Sequence, residues 1–332
     1  MERWIGQLRL LGTSHADIAF AGKTLAGGGL VAFPTETVYG LGADATNRDA
    51  VSRVFSVKGR PHNHPLILHI ESIDRLANWV SAVPGEATAL GSVFWPGPLT
   101  LILPRGPATP LWVTGGQETV GIRVPGHPIA LELIESSGTA IAAPSANRFG
   151  RVSPTCAAHV AADLGEDVDC IIDGGPCEVG LESTIVDLSG DCPRVLRPGA
   201  VSAEDIARTL GRTLDAGAAS NTPRVPGNLP SHYAPKTPLL LANSAELEST
   251  ARAAEAAGTS VAILSLKALS TDCRLKCAVR MPGTPKEYGR VLYARLRDAD
   301  ASGCQLILVE NPPPGSSWSA VRDRLSRAAK RQ

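Results

Sequence analysis

The chain has 332 residues, 43% of them apolar and 19% charged, with 32 basic and 32 acidic side chains. That length exceeds one average domain, and that apolar share can fill a packed core, so two soluble domains are expected. No run of about 18 apolar residues occurs, and Met1-Glu2-Arg3-Trp4 lacks the basic flank and apolar stretch of a signal peptide; membrane and secreted classes are set aside for a cytoplasmic protein.

In chain order, Ser14 with Asp17 three residues on predicts a helix start, and Gly27-Gly28-Gly29 its end. A strand follows at 30–33. Asn47 caps the next predicted helix, whose Val51, Val54 and Phe55 form an apolar stripe. That helix stops at Gly59, which leaves Lys58 and Arg60 at its frayed end. Further strands are predicted at 66–70, 99–103, 120–124, 140–143, 170–172, 184–188 and 194–196. Helices are predicted near 73–80, 86–94, 128–137, 155–163 and 203–211.

The pattern breaks at 215–237. The stretch Asn221-Thr222-Pro223-Arg224-Val225-Pro226-Gly227-Asn228-Leu229-Pro230 cannot sustain a helix or a central strand. It predicts an extended linker between a domain at 1–214 and one at 238–332. Ser231-His232-Tyr233-Ala234-Pro235 then adds a polar and aromatic cluster, which either returns to a site or packs Tyr233 on a domain face. Beyond it, strands at 239–241, 261–264, 277–279 and 306–309 alternate with helices near 244–257, 286–300 and 317–330, the pattern of a small parallel sheet flanked by helices.

Several motifs are decoys. Gly22-Lys23-Thr24 resembles the end of a phosphate-binding loop, but Asp17 stands where that loop needs its first glycine. Gly40-Leu41-Gly42-Ala43-Asp44-Ala45 resembles a dinucleotide fingerprint without the later acidic residue, so its glycines predict a tight turn. His62, His64 and His69 invite a metal reading; His69, in the apolar run Leu68-His69-Ile70, reads first as a hydrogen-bonded core residue, with a ligand or substrate contact as the alternative. No Gly-x-Ser-x-Gly is present, and no cysteine has an obvious His and acid partner, so no covalent nucleophile is suggested. The seven cysteines form no Cys-x-x-Cys; free thiols are expected, with Cys273 and Cys277 lacking a nearby histidine to complete a metal set.

Charge divides unevenly. Residues 1–220 carry 16 basic and 23 acidic side chains, a net −7, and residues 221–332 carry 16 and 9, a net +7. Two solvated surfaces are one reading; a basic C-terminal module that contacts RNA or an acidic partner is the other.

Lys58, Arg60, Arg123 and Arg197 each fall at or near the end of an element. Ser145, Asn147, Ser153, Ser183 and Thr184 adjoin prolines, glycines or strand ends. Singly, such arginines are surface ion pairs. Converging on one cleft, they would make a polyphosphate site, because Arg offers a bidentate fork and Lys a point charge.

The blocks Phe33-Pro34-Thr35-Glu36-Thr37-Val38-Tyr39-Gly40-Leu41-Gly42, Lys58-Gly59-Arg60-Pro61, Pro65-Leu66, Trp95-Pro96-Gly97-Pro98-Leu99-Thr100 and Arg123-Val124-Pro125 resemble the YrdC-like family in order and spacing. Ala143-Pro144-Ser145-Ala146-Asn147, Ser153-Pro154-Thr155, Glu182-Ser183-Thr184-Ile185-Val186 and Arg197-Pro198-Gly199 continue the match over about residues 12–211. His232-Tyr233-Ala234-Pro235 and the α/β tail are similar to the longer, two-domain form of that family. The resemblance implies an α/β fold: a twisted mixed sheet with a basic central cavity, plus a smaller Rossmann-like C-terminal domain.

It further implies a nucleotidyltransferase that joins L-threonine, bicarbonate or CO2, and ATP with Mg2+ into L-threonylcarbamoyl-AMP and pyrophosphate. Other proteins then transfer the threonylcarbamoyl group to tRNA. Carried over position by position, Lys58 and Arg60 hold phosphates and are the catalytic pair. Thr35, His69, Arg123, Ala143 and Ser183 contact threonine. His64, Thr119, Ser145, Asn147, Ser153 and Arg197 bind ATP with that pair, and Tyr233 closes over it on a linker that serves as lid. His64 stands where relatives more often carry a neutral polar residue. No protein-held metal is implied. The rival readings are a carbamoyltransferase-related domain, disfavoured by the missing Cys-x-x-Cys pairs, and an RNA-binding protein, disfavoured by an aromatic content of 4%.

Overall fold

The computed structural model describes residues 3–5, 8–214, 222–270 and 273–330. The first seven residues of the predicted linker therefore lie outside the described residues. The chain divides into two compact units, one of residues 1–149 and 153–228, the other of residues 150–152 and 229–332.

The first unit is built on an eleven-stranded mixed sheet. Its strands are β1 (Arg3–Ile5), β2 (Leu8–Leu11), β3 (Val31–Phe33), β4 (Gly40–Asp44), β5 (Ile67–His69), β6 (Leu99–Pro104), β7 (Thr119–Arg123), β8 (Ile141–Ala142), β9 (Cys170–Ile172), β10 (Thr184–Asp187) and β11 (Arg194–Arg197). Their order across the sheet is β1-β2-β9-β3-β4-β8-β5-β7-β6-β10-β11. The helices are α1 (His15–Ala26), α2 (Arg48–Lys58), α3 (Gly85–Phe94), the short α4 (Leu111–Thr114), α5 (Pro128–Ser137), α6 (Ala157–Leu164) and α7 (Ala203–Leu210).

Local chemistry accounts for the helix ends that position the site. Ser14 Oγ accepts from the Asp17 amide at the start of α1. Asn47 accepts from the amides of Asp49 and Ala50 at the start of α2, and Gly59 ends it at φ 64° in the left-handed region. The expected frayed end is corrected here. The Gly59 and Arg60 amides bond back to Ser56 and Phe55, and Lys58 and Arg60 are buried at 2% and 6% exposure.

The second correction concerns Gly40 and Gly42, which lie in β4 and not in a tight turn. A Cβ at Gly42 would lie 2.7 Å from Ile141 Cγ2 and 2.9 Å from Phe33 Cε1, so the residue is small because neighbouring strands crowd it. β4 is the joint of the sheet, antiparallel to β3 on one side and to β8 on the other.

The second unit has a four-stranded parallel sheet of β12 (Leu239–Ala242), β13 (Val261–Ser265), β14 (Cys277–Arg280) and β15 (Leu306–Glu310), in the order β12-β15-β13-β14. Helices α8 (Leu247–Ala256), α9 (Pro285–Ala301) and α10 (Ser319–Ala328) accompany it. Leu247, Ala251, Val261, Ile263 and Leu308 form one of its buried clusters. Among the described residues, no helix is long and apolar enough to cross a membrane.

Candidate functional site

The polar residues of the first unit gather where β3, β5, β7, β8 and β10 begin or end. β5 and β7 run parallel with His69 opposite Arg123. Both are buried, at 4% each. Arg123 Nε donates to Gly97 O at 3.3 Å, and its Nη2 lies 2.6 Å from Glu36 Oε1. Burial, and then the Arg123 charge, hold the His69 imidazole down to about 3, so it stays neutral across the physiological range. Its Nδ1 is buried with no well-formed hydrogen bond among the described residues. His69 is buried, as expected of a core residue, beside the backbone of Ile67 and Ile141.

Thr35 leaves β3 in a tight hydroxyl-centred turn. Its Oγ1 donates to Val38 O at 2.6 Å, accepts from the Thr37 and Val38 amides, and lies 2.9 Å from Thr37 Oγ1. Ala143 follows β8, and its amide bonds Ile67 O beside β5. His69, Arg123 and Ala143 are therefore tied to the adjacent strands β5, β7 and β8, and Thr35 follows β3, one strand beyond β4.

A second group surrounds the end of α2. Lys58 Nζ donates to Ser145 O and Asn147 O, each at 2.5 Å. The Ser145 segment bridges to Gly40 of β4. Arg60 Nη2 donates to Pro65 O at 2.8 Å, and its guanidinium stands over the Phe149 ring at 5.5 Å. The His64 ring meets the same Phe149 edge-on at 5.4 Å. Burial, with the neighbouring Arg60 charge, pulls the Lys58 pKa well below the ordinary lysine range. The same two causes lower His64. Lys58 and Arg60 crowd one another at low dielectric, so an anion brought between them would be held strongly.

The third group lies on β10 and β11. Arg197 clasps Ser183 with Nε and Nη2 on its carbonyl, at 3.1 and 2.9 Å, and Nη2 on its hydroxyl at 3.1 Å. The Arg197 Nη1 donates to Pro226 O. Ser183 Oγ also lies 2.7 Å from Thr100 Oγ1 on neighbouring β6. Ser153 Oγ donates to Glu182 at 2.5 Å, which ties the Ser153 loop to the same edge. Thr119 stands apart: it opens β7 at the end away from Arg123, opposite Pro104, and is half-buried.

Tyr233 belongs to the second unit. It is 1% exposed, stacks on Tyr293 at 5.9 Å and lies under the Arg324 guanidinium at 5.0 Å. Its φ is 61°, a strained value for a residue with a side chain. Residues 150–152 are part of that unit too: Arg151 pairs with Ala234, and the Ala234 amide bonds Gly150 O. Sequence reasoning did not single out Glu36, the carboxylate beside Arg123, although it sits inside a block of the family resemblance between Thr35 and Thr37.

A family model described as telomere recombination, covering Sua5, YciO and YrdC, matches residues 23–199. A second, described as the threonylcarbamoyl-AMP synthase C-terminal domain, matches residues 201–330. The chain belongs to the Sua5/YciO/YrdC family. Within that family it is 41% identical over 312 residues to a threonylcarbamoyl-AMP synthase of Pyrococcus abyssi, covering 91% of each chain. It is 41% identical over 329 residues to that of Bacillus subtilis, covering 96% of this chain and 94% of the relative. The crystal structure of P. abyssi Sua5 complexed with L-threonine superposes with a TM-score of 0.90 at 39% identity, over 96% of this chain and 97% of that one. The two-domain architecture read from the motifs is that of the family.

Proposed function

We propose that the first unit carries a threonylcarbamoyl-AMP synthase site, with threonine against Thr35, His69, Arg123, Ala143 and Ser183 and ATP against Lys58, Arg60, His64, Thr119, Ser145, Asn147, Ser153 and Arg197. The activity is that of the family's two-domain members: L-threonine, bicarbonate or CO2, and ATP give L-threonylcarbamoyl-AMP and pyrophosphate for tRNA modification. One observation carries the residue assignment. Lys58, Arg60, Arg123 and Arg197 are each no more than 6% exposed at element ends of one sheet unit, where an entering anion would be stabilised by charges already removed from water.

The chemistry needs positioning and charge neutralisation rather than a protein nucleophile. Threonine's nitrogen forms a carbamate. A carbamate oxygen then forms a bond to the α-phosphorus of ATP, and the bond from that phosphorus to pyrophosphate breaks. Lys58 and Arg60 neutralise charge on the phosphates, and the Arg123 guanidinium suits the threonine carboxylate. The neutral His69 offers hydrogen bonds without taking up a proton. Excluding water from the site preserves the labile carbamate and mixed anhydride.

Among the described residues no group of three or more His, Cys, Asp or Glu side chains is placed to hold a metal. Mg2+ would arrive on the nucleotide and supply charge neutralisation at phosphate oxygens. The labile product then passes to the transfer proteins that act on tRNA. The test is pyrophosphate release in reactions that omit one substrate at a time. Release is expected only with ATP, bicarbonate and threonine together; release without threonine would overturn the reading.

A further inference from the structure

Glu36 is the anomaly of the threonine-side group. Its side chain is 9% exposed and that of Arg123 is 5%, with Nη2 and Oε1 2.6 Å apart. The contact is an ion pair by distance only. Among the described residues neither Glu36 oxygen, nor Arg123 Nη2, has a well-formed hydrogen bond. An ionised carboxylate has about four acceptor sites, and leaving them all unused in the interior costs more than an ion pair alone returns.

The surroundings keep this carboxylate in place. A Cβ at Gly126 would lie 3.4 Å from Glu36 Cδ, so the loop after β7 closes against it. The Val179 amide bonds Glu36 O from the opposite side. Arg123 is held by Gly97 O through Nε. The result is a buried cation and a buried anion, side by side, on the rim of strands that also carry Thr35 and His69. An α-amino acid bears the complementary pair, a carboxylate and an ammonium on one carbon.

We propose that Glu36 is a catalytic residue that receives the ammonium of threonine beside the Arg123 carboxylate site and takes its proton as the carbamate forms. The inference rests on the reading of this pocket as the threonine site. The step balances as follows. The ammonium gives one proton to the Glu36 carboxylate, and the freed lone pair forms a bond to the carbon of bicarbonate. The bond from that carbon to its hydroxyl breaks, and the hydroxide leaves with a second nitrogen-bound proton as water. The products are the carbamate, one water and protonated Glu36, which returns its proton to solvent. His69 faces Arg123 across the β5–β7 pair, and Glu36 is the carboxylate beside the Arg123 guanidinium.

The test compares two ligands on the full-length protein by calorimetry. One is L-threonine; the other is the hydroxy acid of the same skeleton, in which a hydroxyl replaces the ammonium. Glu36→Gln is expected to weaken threonine by about ten- to a hundredfold, the worth of one charge-assisted hydrogen bond, to leave the hydroxy acid unchanged, and to lower kcat. Equal weakening of both ligands would mean that Glu36 only props Arg123, and would overturn the assignment. Unchanged threonine affinity would overturn it as well. Wild-type protein that binds neither ligand would instead overturn the threonine reading, and this inference with it. Glu36→Asp, which keeps the anion, guards against misfolding of the amide variant: preference for threonine over the hydroxy acid is expected to persist, and its disappearance counts against the proposal.

Discussion

Both compact units carry exposed cations, such as Arg53 and Arg75 in the first, and they differ in how many they bury. In the first, drawn mostly from the acidic half of the sequence, Lys58, Arg60, Arg123 and Arg197 are nearly inaccessible and sit at the ends of elements. In the second, which holds most of the basic half, Lys236, Arg252, Arg280, Lys286, Arg290 and Arg322 are exposed. Its buried exception, Arg324, is ion-paired with Asp323 at 2.6 Å. Net charge by region therefore points away from the proposed anion site. A cation in water is screened and already solvated, whereas one at the end of a buried strand has lost its hydration and gains most from a ligand's charge.

The largest expected effect that would break this contrast is at Lys58. Lys58→Met keeps the stem of the side chain and removes the charge, and synthesis of the adenylate should fall by about a hundredfold or more, as for loss of one donor that acts on developing charge. Activity within a few-fold of wild type, measured by pyrophosphate release, would show that the buried ammonium is structural. Next is Arg197→Lys. A lysine cannot reproduce the fork on the Ser183 carbonyl and hydroxyl, so KM for ATP should rise by about tenfold or more, the worth of one charge-assisted bond.

A smaller effect sharpens the electrostatics. His69 is held down to about 3 against an ordinary 6.5. The unfolded chain therefore takes up this proton first. The contribution is fully present above 6.5 and is lost as pH falls from there toward 3, by up to about 1.4 kcal/mol per pH unit. His69→Gln should flatten the slope of unfolding free energy against pH in that window, measured by denaturant titration. His64 and His127 are shifted in the same direction and leave a residual slope. The smallest effect belongs to the second unit. Replacing Lys286, Arg290 and Arg322 by alanine together should leave adenylate synthesis unchanged and shift stability by about 0.5 kcal/mol or less per site.

Much of the first unit was legible because its signals are local. The Asn47 cap and the Gly59 stop bound α2, and Pro128 to Ser137 coincide with α5. β4 was not legible: Gly-Leu-Gly carries no strand preference, and the crowding by Ile141 and Phe33 that requires glycine comes from strands distant in sequence. The blocks carried the family resemblance but not the burial of their residues. Lys58 and Arg60 looked exposed because a helix end usually is; the segments carrying Ser145, Asn147 and Phe149, some 90 residues later, cover them. Glu36 was hidden for the same reason, since its partner Arg123 lies across the sheet.

The most direct test of the buried-cation account is the unfolding midpoint of the wild-type protein and of Lys58→Met, each with and without ATP. A ligand that binds only the folded state stabilises it by about 2.7 kcal/mol at a hundredfold excess over its Kd. The account predicts such a rise with ATP for wild type and almost none for the variant. An equal rise in both proteins would contradict it.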